Sequence, residues 1–453
     1  MRKLQLGQTK ILVVDDLPPE DNAMLQALYS RSAASAEEHL DVIDRVGPGK
    51  FMSNYVVGYG HKSIADCGTT TLFFENVSIL AAKAIQDWPL YSGQETSTRY
   101  IDMSKQRIID PVGTVASSSV LGRWMEFYTK SQDAMADVVR KRYPRKESEK
   151  EEAYEKAVKA RVFDVLRGFL PAGITTQLSW HSNLRQIADH LVGITRHPSE
   201  EIRNLGLAAR ALLAEAYPSS GMSVELAGVT GVSNKDAEAA EARSKWNQKV
   251  ADTRTYKRGI EYGDSYFNIH GHCLRSFSEE ELALLAERPK GCLVPHEFAA
   301  KFQYSIQFDL DFGSFRDLQR HRNGVIRMPI LSAKSMFEPW YLTELGPLEE
   351  AGRALVAAQT EDIMKLTDDP VARQYYTALG YRVPCDLHFG LPALIYIMEI
   401  RSAKTVHPTL RRRIHEVIRK FEKNAYGFAL HVDMDPDDWT VRRGTQTITP
   451  RTG

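Results

Sequence analysis

The sequence predicts an α/β (α+β) fold in which antiparallel-type sheets are combined with long helices. Segments with strand-like patterns alternate with amphipathic helical segments, and this alternation appears twice along the chain. At 453 residues the chain is also longer than a typical single domain. We therefore divide it into an N-terminal half at 1–230, a linker at 231–258 and a C-terminal half at 259–453.

The N-terminal half begins with the strand pattern "KILVVDD", and the Thr- and Phe-rich segment "CGTTTLFFENV" predicts a second strand. Helical periodicity follows in "SILAAKAIQDW" and in "SNLRQIADHLVGI". In the latter, Leu184, Ile187 and Leu191 share one face, and we expect Ser182 to cap the helix. The segment "EEIRNLGLAARALLAEAY" predicts a further amphipathic helix.

The linker is polar and rich in Ala, Glu and Lys, which indicates a partly helical connection. After it the series repeats, with a strand at "KFQYSIQFDLDF", a helix at "GSFRDLQRHRNG" closed by Gly324, and an amphipathic helix at "PTLRRRIHEVIRKFEKNAYG". Two landmarks also recur: Leu170-Pro171 precedes His-Pro-Ser at His197, and Val383-Pro384 precedes His-Pro-Thr at His407. A diverged tandem duplication is the simplest explanation.

Composition excludes several classes of protein. The 58 Lys and Arg residues balance 58 Asp and Glu residues, so the chain has no basic field for a nucleic acid polymer. The four cysteines lie far apart without a CxxC motif, which argues against a disulfide framework or a zinc site and fits a cytoplasmic protein. No segment approaches the roughly 18 apolar residues of a membrane span. "HGHC" at 270–273 is more typical of an exposed strand end than of a metal site.

Two polar motifs suggest a site for a phosphate-bearing small molecule. In "GQETSTRY" the alternation of Glu95, Ser97 and Arg99 places all three on one side of an extended segment, although a solvated strand is the alternative. The tripeptide Arg320-His321-Arg322 lies at the C-terminal end of a predicted helix, where cations are favoured and free backbone amides are not. If this tripeptide holds a phosphate, its side chains must do so; the alternative is a solvated helix end.

The segments "YGHKSIADCGTTTLFF", "DWPLYSGQETSTRY" and "LPAGITTQLSWHSNLRQ" resemble the flavin-dependent thymidylate synthases. That family carries an Arg-His-Arg tripeptide followed at fixed spacing by Glu-x-Ser-x-Arg. The resemblance implies an α/β fold, a tetramer with active sites between subunits, and FAD as the cofactor. It also implies methylation of dUMP to dTMP, with NADPH and methylene-tetrahydrofolate as co-substrates.

The resemblance also assigns roles to residues that match the family motifs. His61 and Ser63, in "GHKS", match a flavin-contacting segment, and Asn183 and Arg185, in "SNLR", match a flavin-proximal Asn-x-Arg; a helix start and a plain helix surface are the alternatives. The remaining assignments are flavin and phosphate binding for Arg320, His321 and Arg322, nucleotide binding for Glu95, Ser97, Arg99 and Arg167, and polarisation of the pyrimidine for Arg401. Arg99 and Arg401 are the predicted catalytic residues.

Each predicted half lacks a family motif that the other half keeps. The N-terminal half has Asp87-Trp88-Pro89 at the Arg-His-Arg positions. The C-terminal half keeps that tripeptide but has Met328, Ile330 and Ser332 at the Glu, Ser and Arg positions. We therefore predict one composite site shared between the halves, and a homodimer that imitates the tetramer.

The predicted function is flavin-dependent C5 methylation of a uracil nucleotide. In that reaction the protein orients the reactants and stabilises charge, and it needs no nucleophile of its own. Two alternatives stay open from the sequence. One is C5 modification of another pyrimidine nucleotide such as UMP, and the other is a non-catalytic scaffold that binds flavin or nucleotide.

Overall fold

The computed structural model describes residues 2–6, 9–49, 62–220, 237–255, 267–422, 427–437 and 439, so the predicted site residue His61 lies outside the described residues. The chain divides into two compact units. The smaller unit comprises Met1–Phe74, Leu90–Gln94 and Ser179–Lys257, and the larger unit comprises Glu75–Pro89, Glu95–Leu178 and Arg258–Gly453. This division cuts across the predicted halves, because most of residues 75–178 belong to the same unit as the C-terminal half.

The structure combines short strands with many helices. The strands are β1 (Arg2–Leu6), β2 (Thr9–Val13), β3 (Thr69–Ser78), β4 (Thr175–Asn183), β5 (Phe267–Cys273), β6 (Phe302–Asp311), β7 (Gly324–Ile326) and β8 (Arg382–Gly390). The helices are α1 (Pro19–Tyr29), α2 (Ala36–Val46), α3 (Ile79–Gln86), α4 (Val115–Lys130), α5 (Gln132–Arg142), α6 (Glu151–Leu166), α7 (Leu184–Ile194), α8 (Glu200–Ala216), α9 (Ala237–Thr255), α10 (Glu279–Ala286), α11 (Phe312–Leu318), α12 (Pro339–Glu344), α13 (Glu349–Leu366), α14 (Pro370–Arg373), α15 (Leu391–Arg401) and α16 (Pro408–Glu422). No helix of these described ranges is long and apolar enough to cross a membrane.

The sheet of the larger unit has the strand order β5-β6-β8-β7, and all of its neighbours are antiparallel. Along β6 the side chains alternate between buried and partly exposed, as the period-two pattern of "KFQYSIQFDLDF" predicts. Helices α11, α15 and α16 pack on this sheet. The apolar stripe of α16, from Leu410 to Phe421, is buried against it, so the predicted amphipathic helix is confirmed. The remaining small sheets are the antiparallel hairpin β1-β2 and the pair β3-β4.

Two pairs of strand-to-helix junctions, one in each part of the chain, resemble each other. In the first series β3 runs directly into α3 and β4 into α7; in the second, β6 runs into α11 and β8 into α15. Strands β3 and β6 have ten residues each, β4 and β8 have nine, and α7 and α15 have eleven. In three of the four junctions the last strand residue caps the helix: Ser78, Asn183 and Asp311 each accept a bond from a first-turn backbone amide.

Two segments of the larger unit make reciprocal backbone hydrogen bonds. The bonds between 168–173 and 375–380 form two pairs, and the two donors of each pair are the same number of residues apart as its two acceptors. The four bonds run from Ala172 N to Thr377 O, Leu379 N to Leu170 O, Gly173 N to Tyr375 O, and Gly380 N to Gly168 O. Such reciprocity is the hydrogen-bond pattern of a local two-fold axis.

The structure corrects several details of the sequence prediction. The cap of α7 is Asn183 and not Ser182, because the Asn183 carbonyl oxygen of the side chain reaches the Gln186 amide. Helix α11 ends at Leu318, and Gly324 begins β7 instead of closing the helix. By contrast, the expected partly helical character of 231–258 agrees with the structure, in which residues 237–255 form helix α9, which packs on α7.

The proline landmarks do not correspond to each other. Leu170-Pro171 precedes β4, whereas Val383-Pro384 lies inside β8. His197 and His407 do occupy similar places, because each lies shortly before the last helix of its series, α8 or α16. Of the two landmarks, only the histidine positions are therefore alike in the two series.

Candidate functional site

Arg320, His321 and Arg322 line a cleft of about 500 Å³ in the larger unit. The tripeptide follows α11 and precedes β7, so a helix end and a short edge strand hold it on both sides. The other residues around the cleft come from the chain before β6 and from the junction between β8 and α15. The lining is Arg288, Cys292, Leu293, Val294, His296, Ala299, Asn323, Phe389, Gly390, Pro392, Ala393, Ile395, Tyr396, Ile397 and Glu399.

Two predicted site residues, His321 and Arg401, are joined by a hydrogen bond. Arg401 Nε donates to His321 Nε2 over 2.8 Å, and Arg401 Nη2 donates to the carbonyl oxygen of Asp317 over 2.8 Å. A guanidinium can only donate, so His321 Nε2 is an acceptor and the neutral ring carries its proton on Nδ1. Burial, reinforced by the positive charge of Arg401, lowers the pKa of His321 to about 3. This geometry fixes the guanidinium of Arg401 from two directions.

Asp317 is the carboxylate at the centre of an arginine cluster. Burial works against its ionisation, but four arginines outweigh burial and lower the pKa of Asp317 to about 2. These arginines are Arg99, Arg167, Arg320 and Arg401. Arg99 and Arg167 precede the predicted linker, whereas Arg320 and Arg401 follow it. The structure thus brings predicted site residues of both halves together within one chain.

Glu95 lies in a buried group of charges. Its carboxylate is 2.7 Å from Lys83 Nζ and 2.5 Å from Arg316 Nη2, and Gln86 donates a further bond. The Glu95 and Lys83 side chains are 1% and 0% exposed. Burial opposes ionisation of Glu95, but Arg316 and Lys83 prevail and lower its pKa to about 2. Burial and the nearby Arg316 lower the pKa of Lys83 to about 8, although Glu95 opposes this shift.

Arg99 also has a protein partner. Its Nε and Nη2 donate to the two carboxylate oxygens of Asp164 over 2.7 and 3.3 Å, and its Nη1 donates to the carbonyl oxygen of Thr405. Ser97 Oγ accepts a bond from the Arg99 amide. The predicted extended segment is a turn at residues 98–100, with only isolated bridges at Ser92 and Glu95. The three side chains therefore do not alternate along a strand.

Arg167 is buried in the core of the larger unit. Its Nη2 donates to Ser314 Oγ over 2.9 Å, and its Nε lies 3.4 Å from the Tyr341 hydroxyl. Tyr341 in turn donates to Asp311 over 2.7 Å. With 1% of its surface exposed, Arg167 fixes α11 through protein contacts in this structure. Its nucleotide-binding role stays a prediction.

The other predicted flavin-contacting residues belong to the smaller unit. Asn183 caps α7, and Arg185 Nε is 2.6 Å from Asp66 Oδ1. Ser63 is an exposed residue of a short 3₁₀ helix at Lys62–Cys67. His270 and Cys273 lie on the exposed strand β5, as expected, and no group of metal-ligating side chains occurs in the ranges that the structure describes.

Several residues of the site could not be recognised from the sequence motifs. Lys83 and Arg316 lie in the corresponding helices α3 and α11, and their alignment in the two series was the available signal. Asp164 has no motif around it, and Asp317, three residues before Arg320, is not part of the family motif. Their contacts with the arginines form only in the folded chain.

Comparison with known proteins supports the motif-based resemblance. The family model of thymidylate synthase complementing protein matches residues 13–219. A UPF0159 protein of Chlamydia pneumoniae is 24% identical to the chain, with 88% of this chain and 84% of that protein covered. A UPF0159 protein of Chlamydia muridarum is also 24% identical, over 80% of this chain and 76% of the relative. A UPF0159 protein of Thermoplasma acidophilum is 28% identical over 29% of this chain and 27% of its own length.

The matched range contains Glu95, Ser97, Arg99 and Arg167, which the motifs predicted as family residues, and it ends before the Arg-His-Arg tripeptide. The two chlamydial relatives extend the similarity over most of both chains. Residues 13–219 are therefore similar to the thymidylate synthase complementing protein family, in agreement with the resemblance that the sequence motifs indicate.

Proposed function

We propose that the protein catalyses flavin-dependent C5 methylation of a uracil nucleotide, dUMP to dTMP, with methylene-tetrahydrofolate and NADPH as co-substrates. One observation carries the proposal. Arg99 and Arg167 from one predicted half, and Arg320 and Arg401 from the other, act on the single carboxylate of Asp317. This grouping within the larger unit supports a site to which both predicted halves contribute.

The proposal includes a tandem duplication of the family fold. Equal lengths of β3 and β6, of β4 and β8, and of α7 and α15 support it, as do the similar strand-to-helix junctions in both series. The reciprocal backbone bonds between 168–173 and 375–380 add a local two-fold relation. In this account, a dimer of the chain takes the place of the family's tetramer.

The cleft fits the flavin that the family implies. Arg320 and Arg322 supply cations suited to a diphosphate, and Phe389, Pro392 and Tyr396 supply an apolar surface suited to a ring system. A volume of about 500 Å³ is within the ordinary range for a cofactor pocket. When bound, a reduced flavin supplies the hydride that completes the methyl group.

The residues of the chain orient the reactants. Arg401 is held by His321 and by the Asp317 carbonyl before any substrate arrives, so its positive charge is pre-aligned for a developing enolate oxygen of the pyrimidine. The tautomer of His321 leaves an Nδ1–H donor on the ring. Glu95 stays ionised at neutral pH, and its carboxylate holds Lys83, Arg316 and Gln86 together in the buried group of charges.

A second candidate is C5 modification of another pyrimidine nucleotide, such as UMP. It is motivated by the departure of the candidate site from the family pattern, in which the predicted nucleotide-binding Arg99 is here paired with Asp164. Both nucleotides carry the same phosphate and differ at the 2′ position, so a side-by-side assay of dUMP and UMP separates the two candidates.

Flavin content tests the proposal. We expect the purified protein to be yellow, or to become yellow with FAD, and to bind about one flavin per chain. The Asp87-Trp88-Pro89 positions lack the cations for a second flavin. Absorbance of the released flavin against protein concentration measures the ratio. Protein that stays colourless after reconstitution contradicts the catalytic proposal, and two flavins per chain contradict the single composite site.

A further inference from the structure

Helix α15 forms the apolar wall of the Arg-His-Arg cleft. Gly390, Pro392, Ala393 and Tyr396 all line the cleft, and the last three fall on one helix face because they are spaced by about one turn. The corresponding helix α7 begins instead with the polar pair Asn183 and Arg185. The cleft wall that α15 forms is therefore apolar, whereas the Asn-x-Arg motif of the family is polar.

Tyr396 is the exposed aromatic residue on this wall. It is 46% exposed, whereas its helix neighbours Ile395 and Ile397 are 1% and 2% exposed. Its ring meets the His321 ring edge to face, with centroids 6.1 Å apart and planes at 67°. An edge-to-face contact orients one ring against the other without covering both faces of the tyrosine ring.

The surroundings of Tyr396 indicate what kind of molecule would cover it. Arg320 and Arg322 line the same cleft and give it positive charge. A ligand that binds favourably in this space has both a flat π-surface and negative charge. Phosphate-bearing heteroaromatic molecules have both properties, and flavin and adenine nucleotides are the common examples.

We infer that Tyr396 is the stacking platform for the planar ring of a phosphate-bearing heteroaromatic ligand, whose phosphate contacts Arg320 and Arg322. The inference rests on the proposed flavin-dependent function and adds a ligand-contacting residue that the family motifs do not contain. His321 acts on this platform as a positioning residue, because its edge contact sets the direction in which the Tyr396 ring faces.

Equilibrium titration of FAD, FMN and ADP into the full-length chain tests the inference, with flavin fluorescence and calorimetry as readouts. Tyr396→Leu is expected to weaken binding of the stacked ligand about tenfold, the size of one aromatic stacking contact. Tyr396→Phe keeps the ring and is expected to bind within about twofold of the wild type. If isoalloxazine is the stacked ring, bound flavin should be brighter in Tyr396→Phe, because phenylalanine quenches by electron transfer less than tyrosine.

Tyr29→Leu is the matched control. Tyr29 is 58% exposed and meets His39 edge to face at 6.4 Å, but it lies outside the cleft. This variant is expected to bind all three ligands as the wild type does. A dependence of ADP binding on Tyr396 identifies adenine as the stacked ring, and a dependence of FMN binding identifies isoalloxazine; both support the platform.

The outcomes separate the inference from the function on which it rests. A wild-type chain that binds none of the three ligands contradicts both. A wild-type chain that binds FAD, together with unchanged affinity in Tyr396→Leu, overturns the inference alone. Thermal unfolding of each variant shows whether the fold is retained. If Tyr396→Leu does not fold, Tyr396→Phe decides the matter. This variant keeps the aromatic ring, so a loss of affinity in it overturns the inference.

Discussion

Glu95→Ala is expected to lower the free energy of unfolding by about 3–5 kcal/mol, the usual effect of removing one partner from a buried ion pair. The substitution leaves Lys83 and Arg316 as two buried cations without the carboxylate that joins them. Chemical denaturation followed by circular dichroism measures the change. Part of the cost is relieved when Lys83→Met is added, because the double variant then buries one uncompensated charge instead of two.

Glu126→Ala is the control for this prediction. Glu126 pairs with Lys130 on the surface of α4, where the two side chains are 56% and 75% exposed. Exposed pairs of this kind contribute about 0–1 kcal/mol, so the variant should unfold close to the wild type. Equal losses in Glu95→Ala and Glu126→Ala would show that the buried charge group does not hold the larger unit together.

Arg401→Gln is expected to reduce kcat/KM by about 10²–10³-fold while the chain stays folded. The substitution removes the cation that His321 and the Asp317 carbonyl hold in place. Steady-state kinetics with the uracil nucleotide measures the loss. Arg412→Gln, on the exposed side of α16, changes the same residue type away from the cleft and should leave the rate unchanged.

The same variant has a second expected result that does not depend on turnover. Arg401 contributes to the lowered pKa of His321, so its removal should raise that pKa, although burial keeps it below the ordinary 6.5. Nuclear magnetic resonance of the imidazole protons during a pH titration reports the shift. An unchanged His321 pKa in Arg401→Gln would contradict the direct contact between the two residues.

Much of the secondary structure was predictable because its signals are local. The alternation in "KFQYSIQFDLDF" and the apolar stripe from Leu410 to Phe421 both depend on burial of one face, and the structure confirms β6 and α16. Element ends were less predictable. Helix α11 stops at Leu318 although the periodic pattern continues, because the following residues enter the cleft and then β7.

The candidate site was predictable only in part. Motifs singled out Glu95, Arg99, Arg320 and Arg401, and their role as site residues stays a prediction. They gave no information on the partners, since Asp164 lies 65 positions from Arg99 and meets it only in the folded chain. Strand alternation in "GQETSTRY" was the wrong basis for grouping Glu95 with Arg99, since each turns toward a different buried partner.

The most direct test of the account is release of tritium from the C5 position of labelled dUMP, with labelled UMP in parallel. We expect release that requires FAD, a reductant and methylene-tetrahydrofolate, and that is lost in Arg401→Gln. Release from dUMP supports the proposed thymidylate synthesis. Release from UMP alone supports the second candidate, C5 modification of UMP, instead. No release from either nucleotide, by protein that carries bound flavin, would contradict uracil C5 chemistry at the composite site.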